Sequence, residues 1–276
     1  MTTTYLERLG ARTRAASTVL CLEIDPDPAG LPDGFSPDVT GIEAFARLLV
    51  EAAAPFAAAV KPNLAFFEAF GSPGIAALER IRAAIPAGIP VIVDAKRGDI
   101  GTTAARQAAA LFDGLGADAI TVNPYLGGEA VGPLLERADR YAYVLCRTSN
   151  PGAGELQDLL VSAIGSAPAE PLWARVARRA SAWGPGDTVG LVVGATAPQE
   201  LAGIRAIAPG LGFLVPGVGA QGGEVEPVLR TGPATSGPAG AQPGGGLVVN
   251  VSRGIAGAAI GSIGDDLGQR LADAAQ

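Results

Sequence analysis

The stretch PVIVDAKRGDIGTTAARQAAALFDGLGADAITVNP, residues 90–124, decides the reading of the fold. Residues 90–93 and 117–122 are short β-branched runs without two-residue alternation, the pattern of parallel strands buried on both faces. Between them, residues 102–115 are alanine-rich and predict a helix. Strand, helix, strand is a βαβ unit, and the polar DAKRGD falls where its first strand gives way to its helix.

Outward from this unit the pattern repeats. Further apolar runs lie at 18–24, 56–60, 141–146, 188–193, 212–215 and 247–251, which brings the strands to eight. Helical segments fall at 42–54, 75–84, 129–137, 171–183, 198–207 and 224–229, with an opening helix near 4–15. Eight strand–helix repeats predict an α/β fold, a (β/α)8 TIM barrel formed by residues 1–276 as a single domain. A doubly wound open sheet is the rival reading of the same pattern. Two segments break the rhythm. Residues 148–169, containing SNPGAGELQ, have the length of an active-site lid, and residues 231–246, TGPATSGPAGAQPGGG, are a Gly/Pro-rich insertion expected to be mobile.

Composition narrows the chemistry. Hydrophobic residues make up 48% of the 276 and charged residues 17%, enough to bury a large core. A net charge of −7 argues against a nucleic-acid binder, which needs basic residues to neutralise phosphates. The opening MTTTYLERLGARTRAAS lacks the apolar core of a signal peptide, and no apolar run approaches the ~18 residues of a membrane span, so a cytoplasmic protein is expected. Cys21 and Cys146 sit in apolar runs and read as reduced core residues. Histidine is absent, which removes Ser-His-Asp triads, Cys-His pairs and HExxH zinc sites. Lys, Asp and Arg must carry the chemistry.

In such barrels the reactive end lies at the C-terminal ends of the strands. There this chain places Asp25, Lys61-Pro62-Asn63, Asp94 and Lys96, Asn123, Ser149 and Ser252-Arg253. Each alone reads as a cap or a solvated strand end; together they converge on one mouth. Alternation along the third strand puts Asp94 and Lys96 on one face, with Asp99 at the turn into the next helix. From spacing alone, DAKRGDI is equally a solvated charge cluster with Asp99 capping the helix.

The string VDAKRGDIGTTA, with AVKPNLAFFEAFG before it and TVNPYLGGEA, CRTSNPGA, LVPGVGAQGG and VVNVSRGI after it, resembles the orotidine 5′-phosphate decarboxylase family, in its longer bacterial branch. The resemblance runs from about Asp25 to Arg253. It implies a cofactor-independent, metal-free enzyme that converts orotidine 5′-monophosphate to UMP and carbon dioxide, and a homodimer with active sites at the subunit interface. The implied catalytic array is Lys61, Asp94, Lys96 and Asp99, the last supplied by the partner subunit, with Lys96 protonating C6 of the pyrimidine. Gln221 and Arg253 would grip the phosphate, aided by backbone N–H groups near Gly219 and Ala220. Ser149 and Pro216 would meet the base. Asp25 and Thr103 would bond the ribose, Thr103 reaching across the dimer with Asp99 and Ile100; Asn63 would bind substrate or tie down its own loop.

Two features depart from the pattern: Glu23, where a small residue is expected, and the 231–246 segment, which has no counterpart. Two other functions fit parts of the sequence. A sugar-phosphate enzyme of the wider group would use Asp-x-Lys-x-x-Asp with magnesium, but Lys61 stands where those relatives carry an acidic ligand. A phosphate-binding barrel without catalysis would have no need of all four charged positions.

Overall fold

The computed structural model describes residues 3–163, 168–184, 187–260 and 266–276. Its main sheet has eight parallel strands: β1 Leu20–Ile24, β2 Ala59–Pro62, β3 Ile92–Arg97, β4 Ala119–Val122, β5 Tyr141–Arg147, β6 Val189–Val193, β7 Gly212–Val215 and β8 Val248–Val251. Their spatial order is β2-β1-β8-β7-β6-β5-β4-β3. Two parallel bridges, Val60 with Val91 and Asn63 with Asp94, join β2 to β3 and bring the sheet's two edges together. The expected barrel is present, and an open sheet would leave those edges apart.

Around it lie α1 Tyr5–Ala16, α2 Val39–Ala53, α3 Gly71–Ala84, α4 Gly101–Ala108, α5 Leu172–Ala180, α6 Pro198–Ile207, α7 Val225–Thr231 and α8 Asp266–Ala275. Helix α1 starts in a capping box, Thr4 accepting from the Glu7 N–H while the Glu7 carboxylate accepts from the Thr4 N–H. Its Tyr5, Leu6 and Leu9 pack with Cys21, Tyr141, Tyr143 and Val248 inside the N-terminal end of the barrel. That end is therefore plugged, leaving the C-terminal end for a ligand.

Several expectations change. The second strand begins at Ala59, because Pro55 opens a 3-10 turn over Ala54–Phe56 and takes Phe56 out of the sheet. The helix expected at 129–137 shrinks to Gly128–Val131 and a 3-10 turn, interrupted by Pro133, whose ring cannot continue a helix. Helix α4 runs on into a π-helical turn over Ala109–Gly114. The 231–246 segment, expected to be mobile, packs instead: Ala234 and Ala239 are buried in the same cluster as Tyr5 and Leu9. Gly244, Gly245 and Gly246 all take positive φ, a conformation open to glycine, and this folds the segment tightly beneath α1.

After β5, a 3-10 turn at Pro151–Ala153 leads to a one-turn helix, Gly154–Gln157, and an antiparallel ribbon, Leu160–Val161 with Glu170–Pro171. Arg147 fastens this loop through Asp158, donating at 2.8 and 3.1 Å. Residues 164–167 of the lid-like segment lie outside the described residues.

Candidate active site

Strand β3 does not end as a regular strand. Its pairing with β4 slips between Val93 and Arg97, opening a bulge over Asp94, Ala95 and Lys96. Lys96 carries φ +47°, a left-handed conformation costing an L-residue about 1–2 kcal/mol. Thr121 of β4 holds the bulge in place. Its Oγ1 accepts from the Ala95 N–H at 3.1 Å and the Lys96 N–H at 2.9 Å, and its hydroxyl donates to Asp94 Oδ1 at 2.7 Å. Asp94 and Lys96 thus meet through a bulge, and not through the simple alternation expected from the sequence.

Around Asp94 the charges interlock. Its Oδ2 accepts from Lys61 Nζ at 2.8 Å, and its Oδ1 accepts from Lys96 Nζ at 2.7 Å. Lys61 is only 3% exposed and also donates to Glu23, while Lys96 remains half exposed. Burial alone would raise the Asp94 pKa, but Lys61 and then Lys96 outweigh it and hold the carboxyl well below the usual range. For Lys61, burial works against the charged form, yet Glu23 and Asp94 prevail and its pKa is raised. Both groups stay ionised through the neutral range.

Glu23 reaches further, its Oε2 accepting from Asn250 Nδ2 at 2.6 Å. Asp25, two residues along β1's exit, accepts from the Ser252 hydroxyl. Burial, followed by the nearby Glu23 charge, pushes the Asp25 carboxyl up to about 6. Between the ordinary carboxylate value of about 3.9 and 6, the folded state binds more protons than the unfolded chain, so stability falls as pH rises through that window. Asp25→Asn is therefore expected to raise Tm above pH 6, by about 3–6 °C for a gain of about 1–2 kcal/mol, and to flatten the profile between pH 4 and 6. Thermal melts across pH test this; coincident wild-type and variant profiles would show that the buried carboxylate carries no penalty.

These side chains line a cavity of about 590 Å³, a volume typical of small-ligand sites. Asp25, Lys61, Asn63, Asp94 and Lys96 form one side of it; Ser149, Pro216 and Gln221 face them. Asn63 lines the cavity and also caps the short helix Leu64–Glu68, accepting from the Ala65 N–H at 3.3 Å. Gly217, with φ +97°, brings the loop after β7 against Ser149: a Cβ there would lie 2.8 Å from the Ser149 Cβ.

Arg253 sits at a small adjoining recess shared with Gln221, Ala220 and Ser252. Among the described residues it forms no ion pair. The Gly219 N–H, expected to face a phosphate, instead donates to the Gly223 carbonyl at 3.0 Å and closes its own loop.

Besides Arg253 in its adjoining recess, three expected site residues lie outside this cavity. The Asp99 carboxylate accepts from the Ile100 N–H at 2.8 Å, Ile100 is 61% exposed, and Thr103 lines a separate outer groove beside Leu64 and Arg97. Thr121, Glu23 and Asn250 line the same cavity and are not among the expected residues; the signals for them are a polar residue inside each of the apolar runs 117–122 and 247–251, and the misfit of Glu23. A larger cavity, about 830 Å³, lies at the plugged end of the barrel. There Arg8 and Arg82 pair with Asp118, and Arg12 and Arg82 donate to backbone carbonyls, so the arginines among the described residues lining that hollow are already engaged. Among the described residues, no group of three or more His, Cys, Asp or Glu is placed to hold a metal ion, and no helix is long and apolar enough to cross a membrane.

A family model described as the orotidine 5′-phosphate decarboxylase / HUMPS family matches residues 19–261. An orotidine 5′-phosphate decarboxylase of Herpetosiphon aurantiacus is 43% identical over 271 residues, covering 98% of this chain and 96% of that protein. One from Thermomicrobium roseum is 49% identical over 229 residues, 83% of this chain and 80% of that protein. Among solved structures, the OMP decarboxylase of Leishmania donovani superposes with a TM-score of 0.79 at 38% identity, covering 98% of this chain and 95% of that one. The UMP synthase of the same organism gives 0.81 at 39% identity; the chain is covered to 99% but spans only 55% of that protein.

Proposed function

The chain belongs to the orotidine 5′-phosphate decarboxylase / HUMPS family and is a carboxy-lyase acting on orotidine 5′-monophosphate; we propose that Lys61, Asp94 and Lys96 do the chemistry, with Lys96 as proton donor. One observation carries this reading: Asp94 bridges two lysines, one sealed beneath the cavity and one half exposed to it.

When the C6 carboxylate leaves as carbon dioxide, the bonding electron pair stays on C6, where no carbonyl is placed to delocalise it. The Lys96 ammonium supplies the positive charge and then the proton, and regains a proton from solvent after UMP leaves. At an effective dielectric of about 20, two unit charges about 4 Å apart interact by roughly 4 kcal/mol. Because the site's dipoles and charges are fixed before the reaction, little reorganisation opposes this gain. The Lys61–Asp94 pair holds Lys96 in place, and a compact ammonium suits a single carbon better than a planar guanidinium. No cofactor is required for any of these steps.

Arg253 and Gln221 are assigned to the phosphate, Ser149 and Pro216 to the base, and Asp25 and Asn63 to the ribose side. Binding energy from the distant phosphate draws the reacting carbon onto Lys96.

The functional unit is proposed to be a homodimer, located in the cytoplasm, in which Asp99, Ile100 and Thr103 complete the partner's site. Ile100, Tyr125 and Leu126, on neighbouring strand ends, are 61%, 83% and 53% exposed, an apolar face suited to burial by a second copy. A mixed dimer tests both parts of the reading. Lys96→Ala and Asp99→Ala homodimers should both be inactive on orotidine 5′-monophosphate, whereas the heterodimer holds one intact site and should regain about half the wild-type turnover. No recovery in a verified heterodimer would refute the sharing of Asp99.

A further inference from the structure

We propose that Glu23 is a positioning residue for the decarboxylation: it is the second counter-ion of Lys61 and couples the Lys61–Asp94–Lys96 array to the ribose-side carboxylate Asp25. The inference rests on the reading of that array given above. No role for Glu23 follows from the family pattern, which leads one to expect a small residue at this point of β1.

The geometry gives Glu23 two tasks. A buried ammonium needs its N–H groups satisfied, and Lys61, 3% exposed, spends one on Asp94 at 2.8 Å and another on Glu23. Held from both β1 and β3, Lys61 cannot swing wholly onto Asp94, and the Asp94 Oδ1 stays with Lys96. Asn250 of β8 then fixes the far oxygen of Glu23 at 2.6 Å. The amide must point its Nδ2 at Glu23, since its oxygen would oppose a carboxylate, so the orientation of the link is set.

The second task is electrostatic. Asp25, just past β1, lines the same cavity as Glu23 of β1 and Lys61 of β2, and the Ser252 hydroxyl, just past β8, donates to it. Glu23 disfavours the Asp25 anion, and Lys61 favours it. The same carboxylate that steadies Lys61 therefore adds to burial in raising the pH at which the ribose-side acceptor becomes charged.

Glu23→Gln and Glu23→Asp separate the two tasks. The measurement is kcat and KM for orotidine 5′-monophosphate across pH, with thermal melts to confirm folding. In Glu23→Gln, kcat should fall about tenfold through loss of positioning, with KM unchanged or lower because a negative charge has left an anion-binding site. Its acid limb of kcat/KM, near pH 6 in the wild type, should move down by about 0.5–1 unit. Glu23→Asp keeps the charge but shortens the reach, so kcat should fall while the limb stays in place; if Glu23→Gln yields no folded protein, this variant carries the test. A folded Glu23→Gln enzyme with wild-type kcat and an unmoved limb would overturn the proposal, as would a Glu23→Asp enzyme with wild-type kcat. Either failure in an enzyme that Lys96→Ala inactivates removes only the role of Glu23; a fully active Lys96→Ala enzyme removes the array on which it rests.

Discussion

Asp94→Ala is expected to lose at least about 10³-fold in kcat/KM for orotidine 5′-monophosphate and about 3 kcal/mol of unfolding free energy at pH 7. The two losses share one cause. Asp94 is 9% exposed at its side chain and serves as acceptor to Lys61, Lys96 and Thr121 at once. Without it, Lys61 keeps only Glu23 while remaining buried, and Lys96 loses the partner that holds its ammonium over the cavity. Removing one member of a buried ion pair costs about 3–5 kcal/mol, and the surviving Glu23 contact places this case at the low end.

The sign of the pH dependence follows from the direction of the shift. The Asp94 carboxyl is held below its ordinary value, so its contribution is fully present above the unfolded pKa of about 3.9 and is lost as pH falls through the folded value. The stability gap between wild type and Asp94→Ala should therefore be constant across the neutral range and close below about pH 4. Urea unfolding at several pH values measures it. A gap that closed between pH 5 and 7, or an activity loss below tenfold, would place the buried charge elsewhere.

The barrel was legible because parallel strands buried on both faces announce themselves as short β-branched runs, and eight of them leave little other architecture. Polar strand ends are silent to that signal. The apolar run predicts a third strand at 90–93, whereas β3 runs on to Arg97 through the bulge that carries Asp94 and Lys96. The bulge depends on a tertiary contact: the Thr121 hydroxyl takes two β3 amides across the strand boundary, and nothing local in AITV specifies that partner.

Glu23 could be noticed as a misfit, but its meaning required Lys61 and Asn250, which lie 38 and 227 residues away in sequence. The 231–246 segment shows the opposite error. Glycine and proline in the sequence predict mobility, yet three consecutive positive-φ glycines let the chain fold closely under α1. Asp99, Ile100 and Thr103 stand apart from the cavity in a single chain, and their assignment comes from the family resemblance alone.

Lys96→Ala carries the largest expected loss. The cation opposite C6 contributes roughly 4 kcal/mol, about a thousandfold, and loss of the positioned proton donor adds at least another tenfold. Stability should change by less than about 1 kcal/mol, since the Lys96 side chain is 52% exposed and Asp94 retains Lys61 and Thr121. The direct test is the rate of orotidine 5′-monophosphate loss for wild type and Lys96→Ala, both shown to be folded, with EDTA present. With Lys96 as the proton donor in a metal-free site, the wild type retains full activity in EDTA and the variant falls by at least about 10⁴-fold. A Lys96→Ala enzyme keeping more than about 1% of wild-type kcat, or a wild type silenced by EDTA, would contradict it.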